Sequence, residues 1–595
     1  MEKWFEIRKG GDFKAIGAKY GIDPLAARVM RNRGITTEAE ARRYLSGGLD
    51  DLDDPSLLTD IVKTAGILKE KIREKKSIRI IGDYDIDGVC ATYILTSGLR
   101  KLGGQVSYDI PERLSDGYGL NVRLVSKAVA EGIDTLVTVD NGISASSQVR
   151  VAKDAGLTVL VTDHHEPPYS EEDGRKVFHI PEADTVVDPC LDGCPYPNKS
   201  LCGAGVAWKL LYVMEGMRED GKALLPVGKC PLALSLLPFA AFATVGDVMD
   251  LTGENRILVR YGLLQLPNVE NEGMRALIDA CGLKGKTLSA YHIGFVLGPC
   301  INASGRLETA REAEELFLTQ SPARAHELAG RLSDLNQERR SLTDQGLKTA
   351  LGQLEQGSLR EDRVLVLYLP KTHESIVGII AGKVREKTGK PAFVLTDAKE
   401  EGILKGSGRS IPEYSMFDEL VKCRDLLDKF GGHPMAAGLS LKKQNLDAFR
   451  RKLNQECTLT QDDIARKVML DSRLPLGYIS EDLIIDLKRL EPFGKGNEKP
   501  LFGEPSLSLL SLRVLGARGN AVKMTVSSGG VRMTALYFGD AAEFLDRLKQ
   551  KAGEEEVRKL MAGKPCNISI MAAFYPDINE FRGRRELQIL ISAFR

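Results

Sequence analysis

The chain is poor in histidine and tryptophan and has no surplus of charge of either sign. Its 595 residues hold 7 His and 2 Trp, and 82 Lys plus Arg balance 82 Asp plus Glu. Zero net charge excludes a protein that grips nucleic acid by bulk electrostatics, because such proteins are usually basic. No apolar run reaches the roughly 18 residues a membrane span needs. The longest uncharged stretch, Pro231 to Gly246, is shorter and contains Pro238. The opening MEKWFEIRKG is charged and lacks the apolar core of a secretory signal. Cys190, Cys194 and Cys202 are close in sequence, but no CxxC pair accompanies them, which argues against a zinc site. There is no internal repeat and no low-complexity linker. These absences predict a cytoplasmic protein with reduced thiols and no membrane partner, built from about three or four domains.

What is present falls into segments. Residues 1–60 read as a helical extension packed on the first lobe, ending in the acidic run before Pro55. From Ser77, short β-rich runs alternate with helices: Ile78 to Ile81, Thr135 to Val139 and Thr158 to Thr162, separated by Gly88 to Leu102 and Ser144 to Ala155. Nearly continuous apolar strands between helices predict a parallel sheet covered on both faces. Leu328, Leu332, Leu335 and Leu342 then recur at helical spacing, so about Ala310 to Leu354 reads as one long connecting helix. A smaller α/β unit follows, with strands at Val364 to Leu369 and Ala392 to Thr396. The C-terminal stretch offers five strands, Leu507 to Val514, Ala521 to Val526, Val531 to Phe538, Asn567 to Phe574 and Glu586 to Ile591, interrupted by a helix at Ala541 to Lys551. Five strands and a helix fit an OB-type barrel. The predicted class is α/β with a C-terminal barrel, divided at 1–60, 61–310, 311–355, 356–460 and 461–595.

The strongest chemical signal is Gly82-Asp83-Tyr84-Asp85-Ile86-Asp87-Gly88, three alternating carboxylates between a strand and a helix. Such a cluster repels itself unless a cation sits within it, and a hard divalent metal is the natural partner. A calcium EF-hand loop fails, because its twelfth position is Ile94 rather than Glu. The next two strand ends supply Asp140-Asn141-Gly142 and Asp163-His164-His165. His164 can ligate a metal, with a neighbouring carboxylate fixing its tautomer, and His165 can donate a proton or stabilise a transition state. Asp247 and Asp250 follow the apolar run Phe239 to Val245 as two further candidates. Carboxylates and imidazole around one or two ions suit phosphoester hydrolysis, with Mn²⁺ or Mg²⁺ as the ion and the imidazole favouring Mn²⁺.

Asp-His-His after a strand, with Asp-Tyr-Asp-x-Asp-Gly upstream, resembles the DHH phosphoesterase superfamily. Pro111 to Gly119, Cys202 to Val206, Ala243 to Val248, Ile301 to Arg306, His373 to Gly378, Lys405 to Arg409 and Asn579 to Arg584 extend the likeness over nearly the whole chain. They point to its branch of 5′-to-3′ single-strand-specific DNA exonucleases of repair and recombination. The resemblance implies a DHH lobe joined by the long helix to a smaller DHH-associated lobe. It implies metal ligation by Asp85, Asp87, Asp140, His164 and Asp247, with His165, Asp83 and Asp163 as catalytic or supporting groups. Two positions depart from the family pattern. Ile81 stands where many members carry a histidine, and Cys300 stands where Arg is common in Gly-Pro-Arg-x-Asn-Ala, leaving Arg306 to supply that charge.

A nuclease also needs a surface that tracks phosphate. Lys405-Gly-Ser407-Gly-Arg409 reads as a flexible phosphate-binding loop, and the family places a 5′-phosphate pocket there with Arg113. Asn302, Arg306 and Gly431-Gly432-His433 are the remaining expected substrate contacts in the lobes. Arg582 and Arg584 beside Phe581 suit single-stranded DNA through phosphate contact and base stacking. The expected partner is single-stranded DNA with a 5′ end, supplied by a helicase and a single-strand-binding protein. The alternatives are a phosphodiesterase for short RNA or dinucleotides, and a non-catalytic scaffold. The long barrel segment argues against the first, and the intact acid and histidine cluster against the second.

Overall fold

The computed structural model describes residues 2–595 apart from 114–115, 173–174, 219–222, 357, 517–518 and 582. The chain forms two compact units, one of 52–249 and 261–466, the other of 2–51, 250–260 and 467–595.

In the first unit, strands β1 (Ser77–Ile81), β2 (Gln105–Asp109), β3 (Thr135–Val139), β4 (Thr158–Thr162) and β5 (Thr185–Val187) form a sheet in the order β2-β1-β3-β4-β5. Every pairing is parallel. Ile78, Ile80, Leu136, Val137, Val159 and Leu160 are fully buried, as strands covered on both faces require. The one cation of β1, Arg79, is buried but matched by Asp109 and Glu131. Helices α1 (Ile86–Lys101), α2 (Gly203–Gly216) and α3 (Pro231–Gly246) pack on one another, and α1 is buried on nearly every side. The strand order reverses between β1 and β3. In such sheets ligands bind beyond the carboxyl ends of the strands at that reversal.

Helix α4 (Glu272–Ala280) and helix α5 (Gly298–Leu307), entered through a π-turn at Ile293–Leu297, lead to the connector. The connector is two helices rather than one, α6 (Arg311–Leu318) and α7 (Pro322–Gln356). Pro322 has no N–H to donate and disfavours helical backbone before it, so the first helix stops and a second starts. Leu328, Leu332 and Leu335 of α7 are buried, as their spacing predicts.

The second lobe contains β6 (Leu365–Tyr368), α8 (Val377–Thr388), β7 (Ala392–Asp397), β8 (Ile403–Arg409), β9 (Lys429–His433) and β10 (Ala436–Lys442), in sheet order β9-β10-β8-β7-β6. Only β6 and β7 pair in parallel. The expected flexible loop at 405–409 is therefore a paired strand. Its glycines serve packing: a Cβ at Gly406 would lie 2.7 Å from Leu395 Cγ, and one at Gly408 would lie 2.4 Å from Met416 Sδ.

In the second unit, β11 (Ser472–Arg473), β12 (Phe502–Leu515), β13 (Ala521–Ser528), β14 (Val531–Phe538), β15 (Ser569–Phe581) and β16 (Arg584–Phe594) run in the order β11-β12-β13-β14-β16-β15. A further pairing of β12 with β15 closes the barrel. Helix α9 (Ala541–Ala552) matches the sequence, and α10 (Glu554–Met561) is additional. Residues 2–51 belong to this unit rather than to the first lobe. Ala26, Val29, Met30 and Tyr44 share a core with Leu483, Ile484, Leu487 and Phe502, and Arg33 reaches Asp471 at 2.8 Å. Buried Arg256 adds to this anchor by donating to the carbonyls of Tyr44, Arg489 and Glu491. A strand at Glu2–Glu6 precedes the predicted helices.

Candidate metal centre and active site

The carboxyl ends of β1, β3 and β4 converge at the strand-order reversal. Asp85 caps α1, accepting the N–H groups of Asp87 (2.9 Å) and Gly88 (3.1 Å). Asp87, two residues on, accepts the N–H groups of Gly203 (2.6 Å) and Ala204 (2.8 Å) at the start of α2. Both carboxylates therefore sit at helix N-termini, where the backbone dipoles favour negative charge. Asp140 leaves β3 with a positive φ of 59°. Its neighbour Asn141 is structural, donating to the carbonyls of Ile81 and Val139. Gly203 packs against Asp140 so closely that a Cβ there would lie 2.5 Å from Asp140 Cβ.

His164 Nε2 lies 3.1 Å from Asp140 Oδ1, 3.5 Å from Asp87 Oδ2 and 3.9 Å from Asp247 Oδ2. Burial holds this imidazole below its ordinary value, in the neutral form that ligates metals. Three tight groups of candidate ligands result, Asp87–His164–Asp247, Asp140–His164–His165 and Asp83–Asp85–Asp140, and Asp140 belongs to two of them. Burial, then the neighbouring acids, pushes Asp83 and Asp140 well above the usual carboxylate range. Oδ1 of Asp83 and Oδ1 of Asp140 are buried without a hydrogen-bond partner among the described residues. Unsatisfied buried oxygens, mutual repulsion and a donor set of hard carboxylates with one imidazole fit a divalent Mn²⁺ or Mg²⁺. Of the two candidates after α3, Asp247 reaches this cluster, whereas Asp250 lies in the other unit and pairs with Lys495 at 3.1 Å.

Asp163 plays a different part from the other acids. Its Oδ1 accepts from the backbone N–H groups of His164 (2.8 Å) and His165 (3.3 Å) and bonds His165 Nδ1 (2.8 Å), while Oδ2 accepts from Ile143 N–H (2.9 Å). Burial would raise this carboxyl, but those bonds and the two imidazoles hold it low. It thus fixes the tautomer of His165, not that of His164. The ring of His165 is 45% exposed on one side and packed against protein on the other. That partial desolvation works against its positive charge, but Asp163, Asp247 and Asp87 raise the imidazole to about 9.

The sequence reading missed two groups. Tyr118 Oη lies 3.2 Å from His165 Nδ1 and donates to the Asp140 carbonyl at 2.8 Å. Asp188, at the end of β5, is buried and pushed up to about 7 by burial and by Asp163. Its position one residue past a strand, like Asp140 and Asp163, was the available signal. Among the described residues no cysteine joins the groups of candidate ligands; Cys190 bonds the carbonyls of His164 and Lys199, Cys194 that of Leu57, and Cys202 the Thr244 hydroxyl.

A cationic cleft adjoins the acids. Arg113 stacks 5.0 Å from the centre of the Tyr84 ring, inside the acidic loop. Burial, then Arg113, Arg339 and Arg409, lowers Arg306 to about 10. Burial with Arg385 and Arg113 lowers Arg409. Guanidiniums that depress one another mark a place for an anion. Arg409 donates to Ser407 Oγ at 2.8 Å, beside Gly378 at the N-terminus of α8. The cleft, about 550 Å³, is lined by Arg113, Ser375, Lys405, Ser407 and Lys429, together with Glu374, which pairs with Lys405 at 3.2 Å. Gly432 and His433 continue the same edge strand, β9.

Asn302 and Arg306 act first on the protein itself. Asn302 Oδ1 accepts Ile86 N–H at 2.8 Å, clamping the acidic loop, and Arg306 donates to the Ser375 carbonyl at 3.0 Å. In the barrel, Arg584 opens β16 opposite the exposed Phe581, while Arg582 lies outside the described residues.

Known proteins match this arrangement throughout. The family models of the DHH family N-terminal domain, the DHHA1 domain and the RecJ OB domain match residues 77–230, 361–459 and 470–593. The single-stranded-DNA-specific exonuclease RecJ of Bacillus subtilis is 33% identical over 580 residues, covering 97% of this chain and 69% of the relative. That of Salmonella typhimurium is 34% identical, covering 96% and 95%. RecJ from Thermus thermophilus in complex with Mn²⁺ superposes with a TM-score of 0.79 at 28% identity, covering 100% of this chain and 79% of that one. Its Mg²⁺ complex gives 0.74, also at 28% identity, with 100% and 78% covered. In sequence and in fold, the chain belongs to the RecJ family of DHH-type, single-stranded-DNA-specific exonucleases.

Proposed function

We propose that this chain hydrolyses single-stranded DNA from its 5′ end and releases 5′-mononucleotides, using Mn²⁺ or Mg²⁺. The observation that carries the reading is the adjacency of two oppositely charged clusters: buried acids with orphaned oxygens, and guanidiniums close enough to depress one another, with Glu374 paired to Lys405 in the cleft they share. The first suits cations and the second a phosphate. Asp85, Asp87, Asp140, His164 and Asp247 hold the ions, with Asp83 beside them. Divalent ions bound there supply concentrated positive charge at the scissile phosphodiester.

The protein's own groups do the rest. Arg113, Ser407, Arg409 and the N-terminus of α8 bind the terminal 5′-phosphate, which sets polarity by fixing which end of the strand enters. His165 is held by Asp163 through Nδ1, so its Nε2 is the nitrogen left for the substrate. As water adds to phosphorus and the P–O3′ bond breaks, Nε2–H gives its proton to the leaving O3′. Arg584 and Phe581 serve the outgoing strand, by phosphate contact and stacking. The substrate strand comes from a helicase and is shared with a single-strand-binding protein, in the cytoplasm, during repair and recombination.

The test uses one oligonucleotide labelled at either end, single-stranded or in a blunt duplex, with Mn²⁺ or with EDTA. Labelled mononucleotide should appear at once from the 5′-labelled single strand, and only with metal. Equal rates on duplex, or release from the 3′ label first, would overturn the proposal.

A further inference from the structure

Cys300, the residue found where the family commonly has Arg, does not face the cleft. It is 1% exposed, and its Sγ lies 3.7 Å from Cys281 Sγ, the one thiol–thiol contact among the described residues. Cys281 caps the C-terminus of α4, is partly exposed, and precedes Gly282 at φ 68°. Cys300 sits in the first turn of α5. Its sulfur also contacts the Val296 carbonyl at 3.3 Å and accepts from Asn336 Nδ2 at 3.4 Å. The two thiols therefore tie the end of α4 to the start of α5.

We propose that Cys281 and Cys300 are a modification site: a dithiol that a peroxide oxidises to a disulfide, slowing the nuclease reversibly. Cys281 is the attacking sulfur, being the more accessible. The hydrogen bond from Cys300 and, beyond the opposing effect of burial, the charge of Arg340 hold its thiol below the ordinary value. The same contact and burial push Cys300 up. The Cys281 thiolate attacks one peroxide oxygen, giving a sulfenic acid and hydroxide. The Cys300 sulfur then displaces the sulfenic hydroxyl. Two thiols and one hydrogen peroxide give one disulfide and two waters, with the sulfurs oxidised and the peroxide reduced.

A disulfide is about 2.0 Å long, so the sulfurs must close by roughly 1.7 Å. The turn after Cys281 and the first turn of α5 absorb that movement. Two residues past Cys300, Asn302 clamps the acidic loop through Ile86 N–H. Displacing such a support by about 1 Å is enough to cost on the order of a hundredfold in rate. The slowing rests on the exonuclease reading above, whereas disulfide formation does not.

The experiment treats the metal-free full-length chain with a small excess of hydrogen peroxide, removes it, and maps disulfides by non-reducing peptide mass analysis. Release from a 5′-phosphorylated single strand is then measured with Mn²⁺, before and after dithiothreitol. The expected result is a Cys281–Cys300 cross-link, a rate loss of at least tenfold, and recovery on reduction. Cys281→Ser should keep its rate through the same treatment, and Cys300→Ser provides a second check from the buried side. Absence of the cross-link overturns the proposal, as does a cross-link that leaves the rate unchanged. If the untreated protein has no nuclease activity, the functional reading fails while the peptide map still decides whether the dithiol exists.

Discussion

Gly203→Ala tests whether the acidic cluster depends on the close approach of α2 to β3. A Cβ on residue 203 would lie 2.5 Å from Asp140 Cβ, 2.8 Å from its Cα and 2.9 Å from its Cγ. Carbon atoms rest at about 3.5 Å or more, so something must move by roughly 1 Å. None of the three atoms is the far end of a flexible side chain. Either Asp140 leaves the cluster, or the N-terminus of α2 withdraws the two N–H groups that hold Asp87. A misplacement of that size costs on the order of a hundredfold in rate, or about 2.7 kcal/mol of transition-state stabilisation. Overpacking costs about 1–3 kcal/mol of stability, partly offset by the better helix propensity of Ala. Gly205→Ala, two residues along the same helix, is the control. Its Cβ would come no closer than 3.3 Å, to the Leu201 Cδ2 methyl, which can rotate away; Cys202 Sγ at 3.7 Å and Leu201 Cβ at 3.8 Å are ordinary contacts. The assay is steady-state release of mononucleotide across a Mn²⁺ titration, with thermal unfolding of both variants. Gly203→Ala should lose rate and need more metal, and Gly205→Ala should do neither. Equal behaviour of the two variants would refute the reasoning.

Asp163→Asn should move the alkaline limb of the rate profile to lower pH. His165 is held charged up to about 9 largely by that carboxylate, and its proton-donating form is lost as pH rises through that value. An unmoved limb in a pH–rate series would argue against His165 as the proton donor. Arg409→Ala should weaken binding of 5′-phosphorylated ends by about ten- to a hundredfold, the worth of a charge-assisted hydrogen bond, and leave 5′-hydroxyl ends nearly unaffected. Comparing KM for the two ends measures it. Glu314 is fully buried, neither of its carboxyl oxygens has a hydrogen-bond partner among the described residues, and burial pushes it well above the usual range. A raised acid stabilises fully below its unfolded value near 4.5 and loses that contribution as pH rises towards its folded value. Glu314→Met should therefore raise the thermal midpoint at pH 8, with the gain shrinking towards pH 4. A gain independent of pH would contradict the assignment.

Much of the site was legible because strand ends announce themselves. Asp83, Asp140 and Asp163 each follow a short apolar run, and the parallel sheet turns that sequence position into spatial convergence. What a linear pattern could not supply was the partner of each group. The sequence reading gave His164 the neighbouring carboxylate that fixes its tautomer, and only the turn after β4 shows that Asp163 orients His165 instead. Asp247 and Asp250 were equivalent in sequence, yet they fall in different units. Lys405 to Arg409 has the composition of a phosphate loop, because glycine serves strand packing as readily as it serves an anion. The N-terminal segment was recognisable as helical, but its core partners lie more than 400 residues away. The break before Pro322 was written in the sequence and was masked by the leucine spacing that follows it. Cys300 was visible as a departure, while its contact with Cys281 required the fold.

The central claim is that the acids at the strand ends hold the divalent ions on which release from the 5′ end depends. Calorimetric titration of Mn²⁺ into wild type and Asp140→Asn, paired with mononucleotide release from a 5′-labelled single strand, tests it most directly. Asp140 belongs to two of the three groups of candidate ligands, so the variant should lose most ion binding and nearly all release, while keeping the wild-type circular dichroism spectrum. Full Mn²⁺ binding or undiminished 5′ release in Asp140→Asn would contradict the account.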